Sequence, residues 1–216
     1  MSPAVEAQVA ALWAQEVRQR PHLFNGTVFS VDTTAPGCVE GHWTEYRRVL
    51  AQMRAPGLFA TLGIRALAVN GLLECADGIV LGRRDPTSVY QPGRWHGPPA
   101  GSVEQRTGPG GGGGVDLAAQ VLDECREELG IPAADVVASP PVLAIGHPGS
   151  HVVDIGMLLR TALDFTRIEA AWNGNGNREY DRLRLLTRGS ARDDAALLPL
   201  NLLPPTLALI DAWRGN

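Results

Sequence analysis

The chain has 216 residues, of which 44% are hydrophobic and 19% charged, with a formal net charge of −4. That apolar share supports a sizeable core and excludes wholesale disorder. The acidic balance argues against nucleic-acid binding, which calls for a basic face. The length predicts one domain, or one domain with an extension. All 19 basic residues are arginine, which fits GC-rich coding. Cys38, Cys75 and Cys125 form no CxxC pair and read as reduced thiols. No stretch approaches the roughly 20 apolar residues that cross a bilayer. The first 20 residues carry Glu6, Glu16, Arg18 and Arg20, unlike a signal peptide. A soluble, cytoplasmic protein with no membrane partner is expected.

Residues 3–19 place Val5, Val9, Leu12 and Trp13 at helical spacing, and Pro21 ends the run. A short strand is predicted over Thr27–Val31, and a second helix from Trp43 to Met53 with Thr44 as its N-cap. Ile64–Glu74 and Ile79–Arg83 are apolar, β-prone runs joined through Asp77-Gly78, a hairpin signal. A Pro/Gly-rich loop spans Asp85–Gly101, and Gly108–Gly114 reads as a flexible insertion. No Lys-Ser/Thr follows that glycine run, so it is not a phosphate loop. Asp116–Leu129 is a strong helix closed by Gly130 and Pro132. A second hairpin is predicted from Pro141–His147 and His151–Thr161. A loop follows at Asn173–Asn177, then a strand at Tyr180–Leu186 and a closing helix at Leu203–Trp213. Strands with few helices between them predict an α+β mixed sheet flanked by helices.

Chemistry concentrates on the 116–129 helix. At about 100° per residue, Ala118, Val121, Leu122, Cys125 and Leu129 make an apolar stripe. Glu124, Glu127 and Glu128 share a neighbouring face at i, i+3 and i+4, where like charges repel by about 0.2–0.5 kcal/mol per pair. The face is either a solvated acidic surface or a set of oxygen ligands for a hard divalent cation.

Upstream stands Pro98-Pro99-Ala100-Gly101-Ser102, and with the helix it resembles the Nudix hydrolase signature, G-x5-E-x7-R-E-U-x-E-E-x-G-U with U aliphatic. Gly101 matches the first glycine, and Glu124, Cys125, Glu127, Glu128, Gly130 and Ile131 match the second half. Three departures stand out. Asp123 occupies the arginine position. The first glutamate has no clear counterpart, with Thr107, Val115 and Asp116 as alternatives. The glycine run splits the box. A degenerate, insertion-split box is similar to that of the family's UDP-glucose diphosphatase branch. Leu23-Phe24-Asn25-Gly26 and Thr44-Glu45-Tyr46-Arg47 resemble segments of the same branch.

The resemblance implies a Nudix-type α/β/α sandwich over residues 61–216, with residues 1–60 as a helix-strand-helix extension packed on it. It implies a hydrolase that cleaves the diphosphate of a UDP-glucose-like nucleotide sugar to nucleoside monophosphate and sugar 1-phosphate, with Mg²⁺, or alternatively Mn²⁺, as cofactor. ADP-ribose or another nucleoside diphosphate derivative is the alternative substrate, and a catalytically impaired nucleotide-binding module the alternative function. The partner is in each case a nucleoside diphosphate-linked small molecule. The implied catalytic groups are Glu124, Glu127 and Glu179. The implied metal set is Glu124, Glu127, Glu128 and a backbone carbonyl near Ala100. Arg83, Arg84, Trp95, His96 and Gly101 are the substrate-binding candidates. From the residues alone, Arg83 and Arg84 either reach phosphates or pair on the surface, and Trp95 and His96 either meet base and sugar or pack. Glu179 is either functional or simply solvated.

Overall fold

The computed structural model describes residues 1–35, 37–105, 114–177 and 179–215. In chain order its elements are α1 (Pro3–Gln19), β1 (Thr27–Ala35), β2 (Cys38–Glu45), α2 (Tyr46–Arg54), α3 (Phe59–Leu62), β3 (Leu67–Cys75), β4 (Gly78–Arg84), β5 (Trp95–His96) and β6 (Ala100–Ser102). They continue with α4 (Leu117–Leu129), β7 (Val137–Ala138), β8 (Leu143–Gly146), β9 (Val153–Arg160), α5 (Phe165–Asn175), β10 (Tyr180–Thr187), α6 (Arg188–Ala191), α7 (Asp194–Leu197) and α8 (Pro204–Arg214). The glycine insertion, except Gly114, lies outside the described residues, as does Thr107. No helix among the described residues is long and apolar enough to cross a membrane.

The chain forms two compact units. The first comprises Met1–Ala68, Ser102–Val115 and Gly146–Val153. Here the apolar stripe of α1 faces inward as its spacing predicts, with Val9 buried against Ala51 and Leu58 and with Val5 and Leu12 half-buried beside it. Glu16 of α1 is clamped between Arg20 (2.7 Å) and Arg54 (2.6 Å). Two expectations are corrected. The predicted strand is one arm of an antiparallel hairpin, β1–β2, which takes in Trp43 and Thr44. The helix therefore begins at Tyr46 after Glu45, which makes no side-chain cap. Val39, Trp43 and Thr44 pair across the hairpin with Thr34, Phe29 and Val28, and that pairing outweighs the capping signal of Thr44.

The second unit comprises Val69–Gly101, Asp116–Ile145 and Asp154–Asn216. The mixed sheet of eight strands follows the order β10-β4-β3-β9-β7, with β5 paired to β4, β6 to β3 and β8 to β9. β10 and β3 both run antiparallel to β4. Between β3 and β9 the Val153 N–H bonds Ala66 O and the Thr161 N–H bonds Glu74 O, the equal advance of a parallel pair. Successive side chains of a strand point to opposite faces. Leu72 and Leu73 are nevertheless both buried, as are Ile79, Val80 and Leu81, so the sheet is covered on both sides. One side packs Leu72, Ile79, Leu81, Leu158 and Leu186 against Leu209, Ile210 and Trp213 of α8. The fold is thus the expected α+β sandwich. A further correction concerns Asn173–Asn175, read as loop. They close α5, which the Asp164 side chain caps by accepting the Arg167 N–H at 2.8 Å.

Candidate active site

The site lies wholly in the second unit, where β6 and the start of β10 meet α4. Asp116 caps α4 by accepting the Ala119 N–H at 2.9 Å, and Gly130 ends it with φ +69°, where a Cβ would come within 2.6 Å of Ala171 O. These two ends fix which side chains face inward. Cys125 and Leu129 fill the core, and burial pushes the Cys125 thiol up to about 12, with the Glu128 carboxylate adding to it.

Of the three glutamates expected on one face, Glu128 is 2% exposed. Its Oε2 accepts both the Ala100 N–H (3.1 Å) and the Tyr180 O–H (2.5 Å). Glu124 lies directly against Gly101, where any Cβ would collide with its carboxyl, and its Oε1 accepts from Gln120 Nε2 at 2.8 Å. Glu127 stands apart, its side chain 58% exposed and paired with Arg126 at 3.2 Å. Its backbone matters too, because its carbonyl accepts the Asn177 N–H at 2.8 Å, and the Asn177 side chain takes the Glu179 N–H at 2.9 Å. Asn177 and, through it, Glu179 are thereby pinned to α4. Glu179 ion-pairs with Arg84 at 2.6 Å, and Arg84 also donates to Tyr90 O.

The electrostatics identify which carboxylates face one another. Burial raises the Glu128 carboxyl well above the ordinary range, and Glu179 and then Glu124 raise it further, against the hydrogen bonds from Tyr180 and Ala100. Glu179 and Glu124 thus both bear on Glu128, and the three offer oxygen donors alone, the chemistry a hard divalent cation requires. Among the described residues, no three His, Cys, Asp or Glu side chains already stand close enough to share one ion. The donor set fits in kind, and Ala100 and Gly101 bring the backbone of β6 against two of its members.

The remaining candidates divide. Arg83 pairs with Asp181 through two contacts of 2.8 and 2.6 Å at the surface. Trp95 packs partly buried against the α8 core cluster, and its carbonyl accepts the Leu203 N–H. His96 is 1% exposed, and neither ring nitrogen has a hydrogen-bond partner in good geometry. Burial, then the Arg84 charge, hold it down to about 3, so it is neutral. Sequence reasoning missed Gln120 and Tyr180. Gln120 was findable, since it stands four residues before Glu124 on one helix face. Tyr180 carried no local signal beyond adjacency to Glu179.

No protein-family model matches the sequence, and no curated protein matches it. Solved structures do. The crystal structure of DR0079 from Deinococcus radiodurans superposes with a TM-score of 0.53 at 15% identity, covering 86% of this chain and 98% of that one. That likeness is one of fold. Others include a Nudix-family hydrolase from Clostridium perfringens (TM-score 0.47, 14% identity, 69% of this chain and 98% of that one). An ADP-ribose pyrophosphatase from Streptococcus suis gives a TM-score of 0.42 at 18% identity, over 69% of this chain and 92% of that one.

Proposed function

We propose that this chain is a metal-dependent hydrolase of the Nudix type that cleaves the diphosphate of a nucleoside diphosphate derivative, with a UDP-glucose-like nucleotide sugar as substrate. The observation that carries this reading is that Glu128 and Glu124 of α4, the helix that bears the E-U-x-E-E-x-G-U half-box, lie against Ala100 and Gly101 of β6, with the Glu179 charge acting on Glu128. The sugar-nucleotide part rests on the two N-terminal segments of similar sequence. In the first unit they are joined: Asn25 Oδ1 accepts the Arg47 N–H at 2.8 Å, and Gly26 O accepts the Tyr46 N–H at 2.9 Å.

Glu124 and Glu128, joined by Glu127 once it leaves Arg126, would hold Mg²⁺ or Mn²⁺, which when bound supplies positive charge to the diphosphate oxygens and acidifies a water. Diphosphate cleavage is limited mainly by charge stabilisation and positioning, so the protein's part is to fix carboxylates and exclude misorientation. Glu128 is fixed by two donors and Glu124 by Gln120 and the close Gly101 backbone. Arg84 holds Glu179 at the rim, where its carboxylate can accept the proton of the attacking water.

Assay UDP-glucose, ADP-ribose and related nucleoside diphosphate derivatives with and without Mg²⁺. The expected result is Mg²⁺-dependent release of nucleoside monophosphate from UDP-glucose. Glu124→Gln or Glu128→Gln should lower kcat at least about 100-fold, roughly 3 kcal/mol in barrier. Preference for ADP-ribose would keep the chemistry and overturn the substrate. One observation favours a binding module instead: Asp123, an acidic residue, stands where the signature has arginine, with Arg126 3.8 Å away. Nucleotide binding without turnover on any compound would establish that alternative.

A further inference from the structure

We infer that Tyr180 is the positioning residue of the carboxylate site: its phenol O–H, acting with the Ala100 N–H, sets the orientation in which the Glu128 carboxylate meets a divalent cation. This rests on the metal-dependent reading above.

The placement of Tyr180 is built into three strands. In a regular strand, residues two apart share a face. Tyr180 and Arg182 do not: Tyr180 is 3% exposed while Arg182 lies at the surface. The cause is an irregularity in the β10–β4 ladder. Tyr180 stands opposite Arg84 and Arg182 opposite Arg83, so one extra residue, Asp181, is inserted. Such a bulge re-aims a side chain at the cost of ladder bonding. Here it turns the phenol inward towards α4 and leaves Asp181 outside to pair with Arg83.

The ring then needs a bed, and Gly82 supplies it, since a Cβ there would come within 2.5 Å of Tyr180 Cδ1. His96 on β5 is the register partner of Gly82, and its ring lies 5.2 Å from the Tyr180 ring at 49°. Held this way, the hydroxyl donates to Glu128 Oε2 at 2.5 Å. Ala100 N–H engages the same oxygen. Two donors on Oε2 lock the carboxyl plane and assign ligation to Oε1. Groups that orient a ligating carboxylate in this way typically affect metal affinity 10- to 100-fold when lost.

Tyr180→Phe keeps the ring and its packing and removes only the O–H. Mn²⁺ affinity, measured by electron paramagnetic resonance without substrate, is expected to weaken about tenfold, equal to about 1.4 kcal/mol. The Mg²⁺ concentration for half-maximal turnover should rise in step, so that the activity deficit shrinks as Mg²⁺ is added. A double-mutant cycle completes the test: in a Glu128→Gln background, Tyr180→Phe should cost no further Mn²⁺ affinity. Circular dichroism melts of all three variants verify folding, and a Tyr180→Phe protein that folds yet binds Mn²⁺ as the parent does would overturn the inference. An additive loss in the double variant would also overturn it, because Tyr180 would then act elsewhere than through Glu128. If the parent chain itself binds no Mn²⁺ and hydrolyses nothing, the metal-dependent reading falls and this inference falls with it.

Discussion

His96 offers a quantitative test of how the second unit is packed, separable from any activity. The ring is buried between β4 and Tyr180 without a well-formed hydrogen bond, and it is depressed from 6.5 to about 3. Burial is the largest cause, and the Arg84 guanidinium is the next. In the unfolded chain the imidazole takes up a proton below about 6.5, whereas in the folded chain it stays neutral until about 3. Its contribution is therefore complete above pH 6.5 and is lost progressively as pH falls through the window to 3. Each pH unit in that window is worth about 1.4 kcal/mol, about 5 kcal/mol in all, against a typical domain stability of about 5–15 kcal/mol. His96→Leu conserves approximate volume and removes the titration. Urea unfolding at several pH values from 7 to 4 should show the parent losing about 3 kcal/mol more than the variant over that range. Because other carboxylates titrate alike in both proteins, only the difference between the two curves matters. Parallel curves would refute the reasoning: His96 would then be solvated or hydrogen-bonded in solution.

Three further outcomes follow from the same structure. Glu128 has the opposite sign: a buried carboxyl with a raised value favours the fold below its ordinary range near 4.5 and costs stability as pH rises through the elevated value. Without metal, Glu128→Gln should thus melt higher than the parent at pH 8, with the gap closing towards pH 5 in thermal scans, and a constant gap would contradict this burial. Gly101→Ala should displace the Glu124 carboxyl and cut kcat/KM at least about tenfold, and steady-state kinetics at the parental value would mean Glu124 is not held there. Residues 61–216 expressed alone should not fold cooperatively. Val103, Arg65 and Ile64 would lose their bonds to Phe29, Val31 and Gln52, and a soluble, fully active fragment would argue the reverse.

What was legible in the sequence was whatever short-range physics dictates. The 3.6-residue recurrence of Val5, Val9 and Leu12 specified α1. Asp116 and Gly130 marked the ends of α4, and the apolar runs around Asp77-Gly78 marked the β3–β4 hairpin. The acidic helix beside Gly101 announced the candidate site, because like charges at i, i+3 and i+4 need a reason to coexist. Periodicity could not say how deep each carboxylate would sit. Glu127 and Glu128 are neighbours in sequence, yet one is solvent-exposed and paired with Arg126 while the other is buried against Ala100 and Tyr180. That division depends on the angle at which α4 meets β6 and β10, a long-range property. The same holds for Tyr180, which reaches Glu128 only because Asp181 bulges and Gly82 lacks a side chain. Local sequence fixed the helix that carries the carboxylates. Contacts between residues about 25 to 100 positions apart decided which of them face one another, because burial and orientation are set by packing rather than by propensity.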